Sequence, residues 1–197
     1  LAWNYQSVSH KHIKEYLDLL VKNHIIVDLI VDMSMYPECE EHYRGYSTKL
    51  FAPIVQAELC KTENDEIGVF KQKLKFQLLT DYEVQNYKSY FNSLKIKISS
   101  VDVESDDLKQ LKEEIINSTL LLETLVEVNI FLKNYFNDNL NLDDLNNIEN
   151  NLCKYLNSHY NLWISRNKQQ GYSSSACRIE RLLYCLKNLK KEATNYE

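Results

Sequence analysis

Only three glycines and two prolines punctuate this 197-residue chain, where an average globular protein carries the two together at about 12% of its residues. Glycine supplies the left-handed and close-approach conformations on which phosphate-cradling loops, nucleophile elbows, hairpin turns and sandwich corners depend. Its scarcity excludes most such architectures and leaves long, seldom interrupted helices. Hydrophobic residues make up 44%, enough for a real core and unlike a disordered chain. The length allows one or two domains. The expected class is all-α, a helical bundle with an antiparallel three-helix unit in its C-terminal half.

Charge narrows the partners. The chain carries a net −5 and has no arginine cluster, a poor balance for coating nucleic acid, where phosphate binding draws on concentrated Lys and Arg. Lys71, Lys73 and Lys75, and again Lys187, Lys190 and Lys191, read as solvated helix faces. No stretch of about 18 apolar residues occurs, so no membrane span is expected. The cysteines, Cys39, Cys60, Cys153, Cys177 and Cys185, are odd in number and widely spaced, without a C-x-x-C. They read as reduced thiols in a cytoplasmic setting rather than a disulfide framework. The start at Leu1-Ala2-Trp3-Asn4 has neither an initiator Met nor a signal peptide and reads as a piece of something longer.

Periodicity is clearest between residues 105 and 195. Leu111, Ile115, Leu122, Leu125 and Leu132 keep heptad spacing from Leu108, with Ser118 and Asn129 as polar members of the same stripe. Ile116, Leu120, Leu121, Val126, Val128 and Ile130 add further apolar faces, so this helix is expected to be covered by several neighbours. Asn137-Asp138-Asn139 ends it, and Asn141 is placed to cap the next, with Asp143 and Asp144 in its first turn. That helix turns Leu142, Leu145, Ile148, Leu152, Leu156 and Trp163 inward and stops at Gly171. A serine of 173–175 then caps a last helix with Ile179, Leu182, Leu183, Leu186 and Leu189 inward. Earlier residues are less regular. Helices are expected from Ser9 and from His24, and Pro53 is expected to start or kink one within Leu50–Leu59. Over 67–100, Phe70, Leu74, Leu78 and Leu79 fit a helix, whereas Ile96, Ile98 and Val101 alternate as in a short strand. Helices with a loose loop near 99–105 are the preferred reading.

No chemistry-bearing motif is completed. Cys39 and His42 form a C-x-x-H pair and His10 and His12 stand two apart, but zinc needs a second spaced pair or a His-Glu-x-x-His. No signature surrounds a cysteine, and Ser173-Ser174-Ser175 is better explained as a cap. Asp65-Glu66 and Asp143-Asp144 are adjacent acids. General acid–base work needs two carboxyls whose environments split their pKa values, and both pairs read as solvated. No catalytic residue, metal or cofactor is therefore assigned. The 14 tyrosines and two tryptophans would suit a sugar cleft, yet at helical core spacing aromatics mostly pack.

Two stretches together resemble a known family. The run Leu162-Trp163-Ile164-Ser165-Arg166-Asn167-Lys168-Gln169-Gln170-Gly171-Tyr172-Ser173-Ser174-Ser175, followed by Arg178-Ile179-Glu180, resembles the closing segment of some bacterial family-20 glycoside hydrolases, the β-N-acetylhexosaminidase group. There an L-W-x-x-R-N-(K/R)-x-G-G-x-x-x-S pattern ends a helical C-terminal region. This chain has Gln170 where glycine tends to repeat and Gln169 where proline is frequent. Leu1-Ala2-Trp3-Asn4 is similar to the exit of the last barrel strand in the same enzymes. Ile26–Met33 and Thr48-Lys49-Leu50-Phe51 are similar to the helix and loop that follow it.

The resemblance implies that residues 1–7 are the remnant of that strand, 8–104 an irregular helical subregion and 105–197 an antiparallel bundle. It implies an inactive fragment whose parent is a hydrolase of carbohydrate metabolism, with the catalytic Asp-Glu pair on an upstream (β/α)₈ barrel. Asp65-Glu66 lacks the glycine-rich strand that introduces that pair and does not inherit its role. Only Trp3 would touch substrate, as an aromatic platform for a glycan. Trp163, Arg166, Asn167, Gly171 and Ser175 form a structural signature. The expected partner is the upstream barrel of the same chain, with no nucleic acid and no membrane. The alternative is an α-helical interaction scaffold of the HEAT or initiation-factor-middle-domain kind, suggested by paired amphipathic helices and by Phe70-Lys71-Gln72-Lys73-Leu74.

Overall fold

The computed structural model describes residues 48–165 and 174–194. These residues form six helices: α1 (Thr48–Leu59), α2 (Glu66–Leu74), α3 (Asp81–Ser100), α4 (Asp106–Phe136), α5 (Leu142–Ser165) and α6 (Ser174–Thr194). No strand occurs among them, and the chain is an all-α helical bundle.

The helix ends are set by short polar side chains. Asp65 accepts from the Gly68 N–H at 3.0 Å and opens α2. Thr80 and Glu83 build a full capping box at the start of α3: each side chain takes the other's backbone N–H, at 3.3 and 2.8 Å. Burial alone would push the Glu83 carboxyl up. The Thr80 N–H and hydroxyl and the Lys49 ammonium outweigh it and hold Glu83 below the ordinary carboxylate range. Asn141 caps α5 through the Asp143 N–H at 3.0 Å, as its position predicts.

The end of α4 is a Schellman turn. Asn139 N–H reaches the Asn134 carbonyl at 2.9 Å, Asp138 N–H the Tyr135 carbonyl at 3.3 Å, and Asp138 sits between them at φ 55°. Glycine is the usual occupant of that left-handed position. In a chain with so few glycines, aspartate stands in.

Around α4 the other helices close. It packs most extensively on α5 and α3 and also on α1, while α6 lies against α5, α1 and α2. Thus α4, α5, α6 and α1 form a ring, with α3 outside α4 and α2 bridging α1 and α6. The short connection 137–141 makes α4 and α5 antiparallel. One continuous core draws on every helix: Ala57, Phe70, Phe91, Leu125, Leu152 and Leu186 are all fully buried. It runs on across residue 105, because α1 lies against both α4 and α6.

The alternation at Ile96, Ile98 and Val101 does not make a strand. Phe91, Leu94, Ile98 and Val101 fall three or four apart and are buried, whereas Ile96 is 64% exposed, which is helical periodicity with one apolar outlier. The loop expected near 99–105 follows directly, from Val101 to Ser105. Pro53 lies within α1 rather than at its start, and supplies no N–H to the Lys49 carbonyl.

At this turn the bundle is tied by Asn129, only 1% exposed. Its Nδ2 donates to the Leu50 carbonyl of α1 at 3.2 Å and to the Leu125 carbonyl of α4 at 2.8 Å. Its Oδ1 accepts from the buried Leu79 N–H before α3 at 3.2 Å. Replacing Asn129→Leu removes the acceptor for one buried donor and the donors to two backbone carbonyls, and should cost about 2–3 kcal/mol. Urea denaturation with an unchanged slope reads that loss; a midpoint equal to wild type would show the ties to be dispensable. Conversely, Asp138→Gly should relieve the left-handed residue and raise stability by about 0.5–1 kcal/mol in the same experiment.

Candidate functional site

Three places gather polar side chains at helix seams. The first is a shallow groove of about 300 Å³ between α3, α4 and α5, lined by Lys88, Phe91, Glu123, Thr124, Glu127 and Asn151 among others. Glu123 and Glu127 are one turn apart on α4, so both point at α3. There Lys95 meets Glu123 at 2.8 Å and Lys88 meets Glu127 at 3.0 Å. Thr124 donates back to the Leu120 carbonyl at 2.7 Å. Both carboxylates thus stitch α3 to α4.

The second is centred on Arg181 of α6, whose side chain is 17% exposed. Its guanidinium meets Glu66 of α2 at 2.7 Å, donates from Nε to the Ala57 carbonyl near the end of α1 at 3.1 Å, and stacks 4.5 Å above the Tyr184 ring. The planar fork serves three elements at once, a task an ammonium would do poorly. Two fully buried thiols belong to the same corner, Cys60 after α1 and Cys185 on α6. Burial pushes the Cys185 thiol up to about 11, with Arg181 opposing that rise. Burial likewise raises Cys60, against Lys73. These thiols are held protonated, the reverse of an activated nucleophile.

The third joins α2, α4 and α6. Lys71 pairs with Glu192 at 2.7 Å, and the Tyr135 hydroxyl donates to the same carboxylate oxygen at 3.2 Å. The bond to Glu192 raises the Lys71 ammonium above its ordinary value, against burial, while burial raises the Tyr135 hydroxyl.

These arrangements revise two expectations. Lys71 does not belong to a solvated lysine face, because Glu192 draws it into a seam. The Asp65-Glu66 pair is split: Asp65 is an exposed N-cap, whereas Glu66 turns inward to Arg181. Neither partner is legible locally, since each lies on the last helix. Thr80-x-x-Glu83 is a capping-box spacing visible in the sequence, whereas Arg181 lies off the apolar stripe of α6 and carries no local signal.

Of the sequence-predicted residues, Trp163 and Ser175 lie within the described structure. Trp163 falls near the end of α5 and Ser175 in the first turn of α6. Trp3, Arg166, Asn167 and Gly171 lie outside the described residues, as do Cys39, His42, His10 and His12. Among the described residues, no group of three metal-ligating side chains gathers, and no helix is long and apolar enough to cross a membrane.

Compared with known proteins, the chain matches no family model, no curated sequence and no solved structure at a significant level.

The thiol environments give a direct check. Cys153 and Cys177 are exposed, Cys60 and Cys185 buried. Iodoacetamide at pH 8, read by peptide mapping, should modify Cys153 and Cys177 in the native protein, and Cys60 and Cys185 only after denaturant is added. Alkylation of Cys185 as fast as Cys153 would contradict the buried corner.

Proposed function

We propose that this chain is a non-catalytic helical module that works by docking on another protein surface. The observation that carries this reading is how the carboxylates at the seams are used. Glu83, Glu123, Glu127, Glu66 and Glu192 are each bound to a cation from a different helix. Their charge holds the bundle together, and reaction chemistry would need a group released from that role. What the surface offers instead is exposed apolar and aromatic side chains, Leu59, Phe76, Tyr82, Ile96 and Tyr184. The closure of α1 on both α4 and α6 favours a closed bundle over the stacked pairs of a HEAT-like superhelix.

The narrower form of the proposal names the surface as the upstream catalytic barrel of a β-N-acetylhexosaminidase-like glycoside hydrolase, acting on N-acetylhexosamine-containing glycans. It rests on the Leu162–Ser175 pattern. Its first residues, Leu162 to Ser165, end α5 and its last serines, Ser174 and Ser175, begin α6. On this reading Trp3 is the one residue of this chain at the glycan.

Aryl N-acetylglucosaminides test both forms. The full parent reading frame should release the aryl group, and these 197 residues alone should not. Turnover by the chain alone overturns the non-catalytic reading. A parent frame without that activity overturns the glycoside hydrolase assignment and leaves the docking reading standing.

A further inference from the structure

We propose that the turn between α2 and α3 is a docking knob, with Phe76 as its anchor and Lys73 and Lys75 as its charge, and that it seats in an apolar pocket on an acidic protein surface. It rests on the docking half of the reading above and is independent of the barrel.

Phe76 is 87% exposed, the most exposed large apolar side chain among the described residues. An aromatic on a loose loop would lose much of its binding free energy to ordering, but this turn is fixed on both sides. The Gln77 N–H donates to the Leu74 carbonyl at 2.8 Å, and the Gln77 side chain accepts from buried Gln56 of α1 at 3.1 Å. Two residues on, the Leu79 N–H is bound by Asn129 at 3.2 Å, and Thr80 begins the capping box of α3. Phe76 therefore projects from a backbone already held in place, and a preorganised aromatic is the type of residue that dominates interfaces.

The charge beside it selects the partner. Lys73 lies one turn before Phe76 and Lys75 is adjacent. Both are exposed, and neither has a carboxylate partner among the described residues, whereas Lys71 of the same helix is committed to Glu192. Unpaired cations around an apolar anchor are complementary to carboxylates around an apolar pocket. An anionic bilayer is the competing occupant. One phenylalanine with two lysines gives only marginal anchoring there.

A random 16-residue peptide library displayed on phage, selected on the whole chain, tests the proposal, with phosphatidylserine–phosphatidylcholine vesicles measured in parallel. Enriched peptides should combine Asp and Glu with Leu or an aromatic. As fluorescein-labelled peptides they should bind Phe76→Ser at least about tenfold more weakly, and Lys73→Glu/Lys75→Glu more weakly with a flatter salt dependence. Ile96→Ser, another exposed apolar position, on α3, should leave binding unchanged. Thermal melts of all three variants should match wild type, since each altered side chain is exposed. The proposal is overturned by enrichment no greater than on a control protein, by enriched peptides without acidic residues, by equal binding to Phe76→Ser, or by vesicles binding where peptides do not. Acidic peptides that bind Phe76→Ser as well as wild type would sink the knob alone and leave a docking module that uses another face.

Discussion

The bundle depends on one buried amide. Asn129 sits where an apolar residue would keep the stripe of α4 regular, and a polar group there is tolerable only if its hydrogen-bonding capacity is used. Both of its donors and one acceptor site are used, and the three backbone groups it meets belong to α1, to α4 and to the segment entering α3. Leucine packing alone would let α1 slide along α4 by a turn at modest cost. A side chain that must meet Leu50 and Leu79 together permits one register. The proline in the same turn of α1 leaves the neighbouring Lys49 carbonyl without its ladder N–H.

Much of this architecture is written locally. Caps and breaks were legible because they act over three or four residues: Asn141 and the Asn137-Asp138-Asn139 stop lie where the sequence places them, as do the apolar stripes of α5 and α6. The polar positions 118 and 129 were visible as irregularities, but the use made of Asn129 was not. Its partners at Leu50 and Leu79 are near only after folding. The same reason hides the seams. Glu66 and Lys71 look like ordinary surface charges until α6 brings Arg181 and Glu192 to them. The strand-like alternation at Ile96 and Ile98 misleads for a different reason: an exposed isoleucine at Ile96 imitates a period of two inside a helix.

Taken together, the charged seams and the exposed aromatics divide the labour between inside and outside. Ion pairs between neighbouring helices set which helix lies beside which, a service that depends on several partly covered pairs acting together rather than on the small worth of any one. With those carboxylates occupied, the side chains left over for the proposed docking are exposed apolar ones, Phe76 foremost. The residues of the family-like signature Leu162–Ser175 lie elsewhere in the sequence, about 90 positions further on.

The packing of α1 on α6 also bears on how the chain is made. Most helical bundles fold quickly because their contacts are local in sequence. Here α1 leaves the ribosome long before its neighbour. At ordinary synthesis rates the interval between them is on the order of ten seconds, during which, among the described helices, α1 has α2 and, later, α4 to pack against. The nascent chain thus carries a waiting apolar face that its own last helix closes. A stop codon before Ser174 would leave the faces of α1 and α5 that α6 covers open to water for the life of the product.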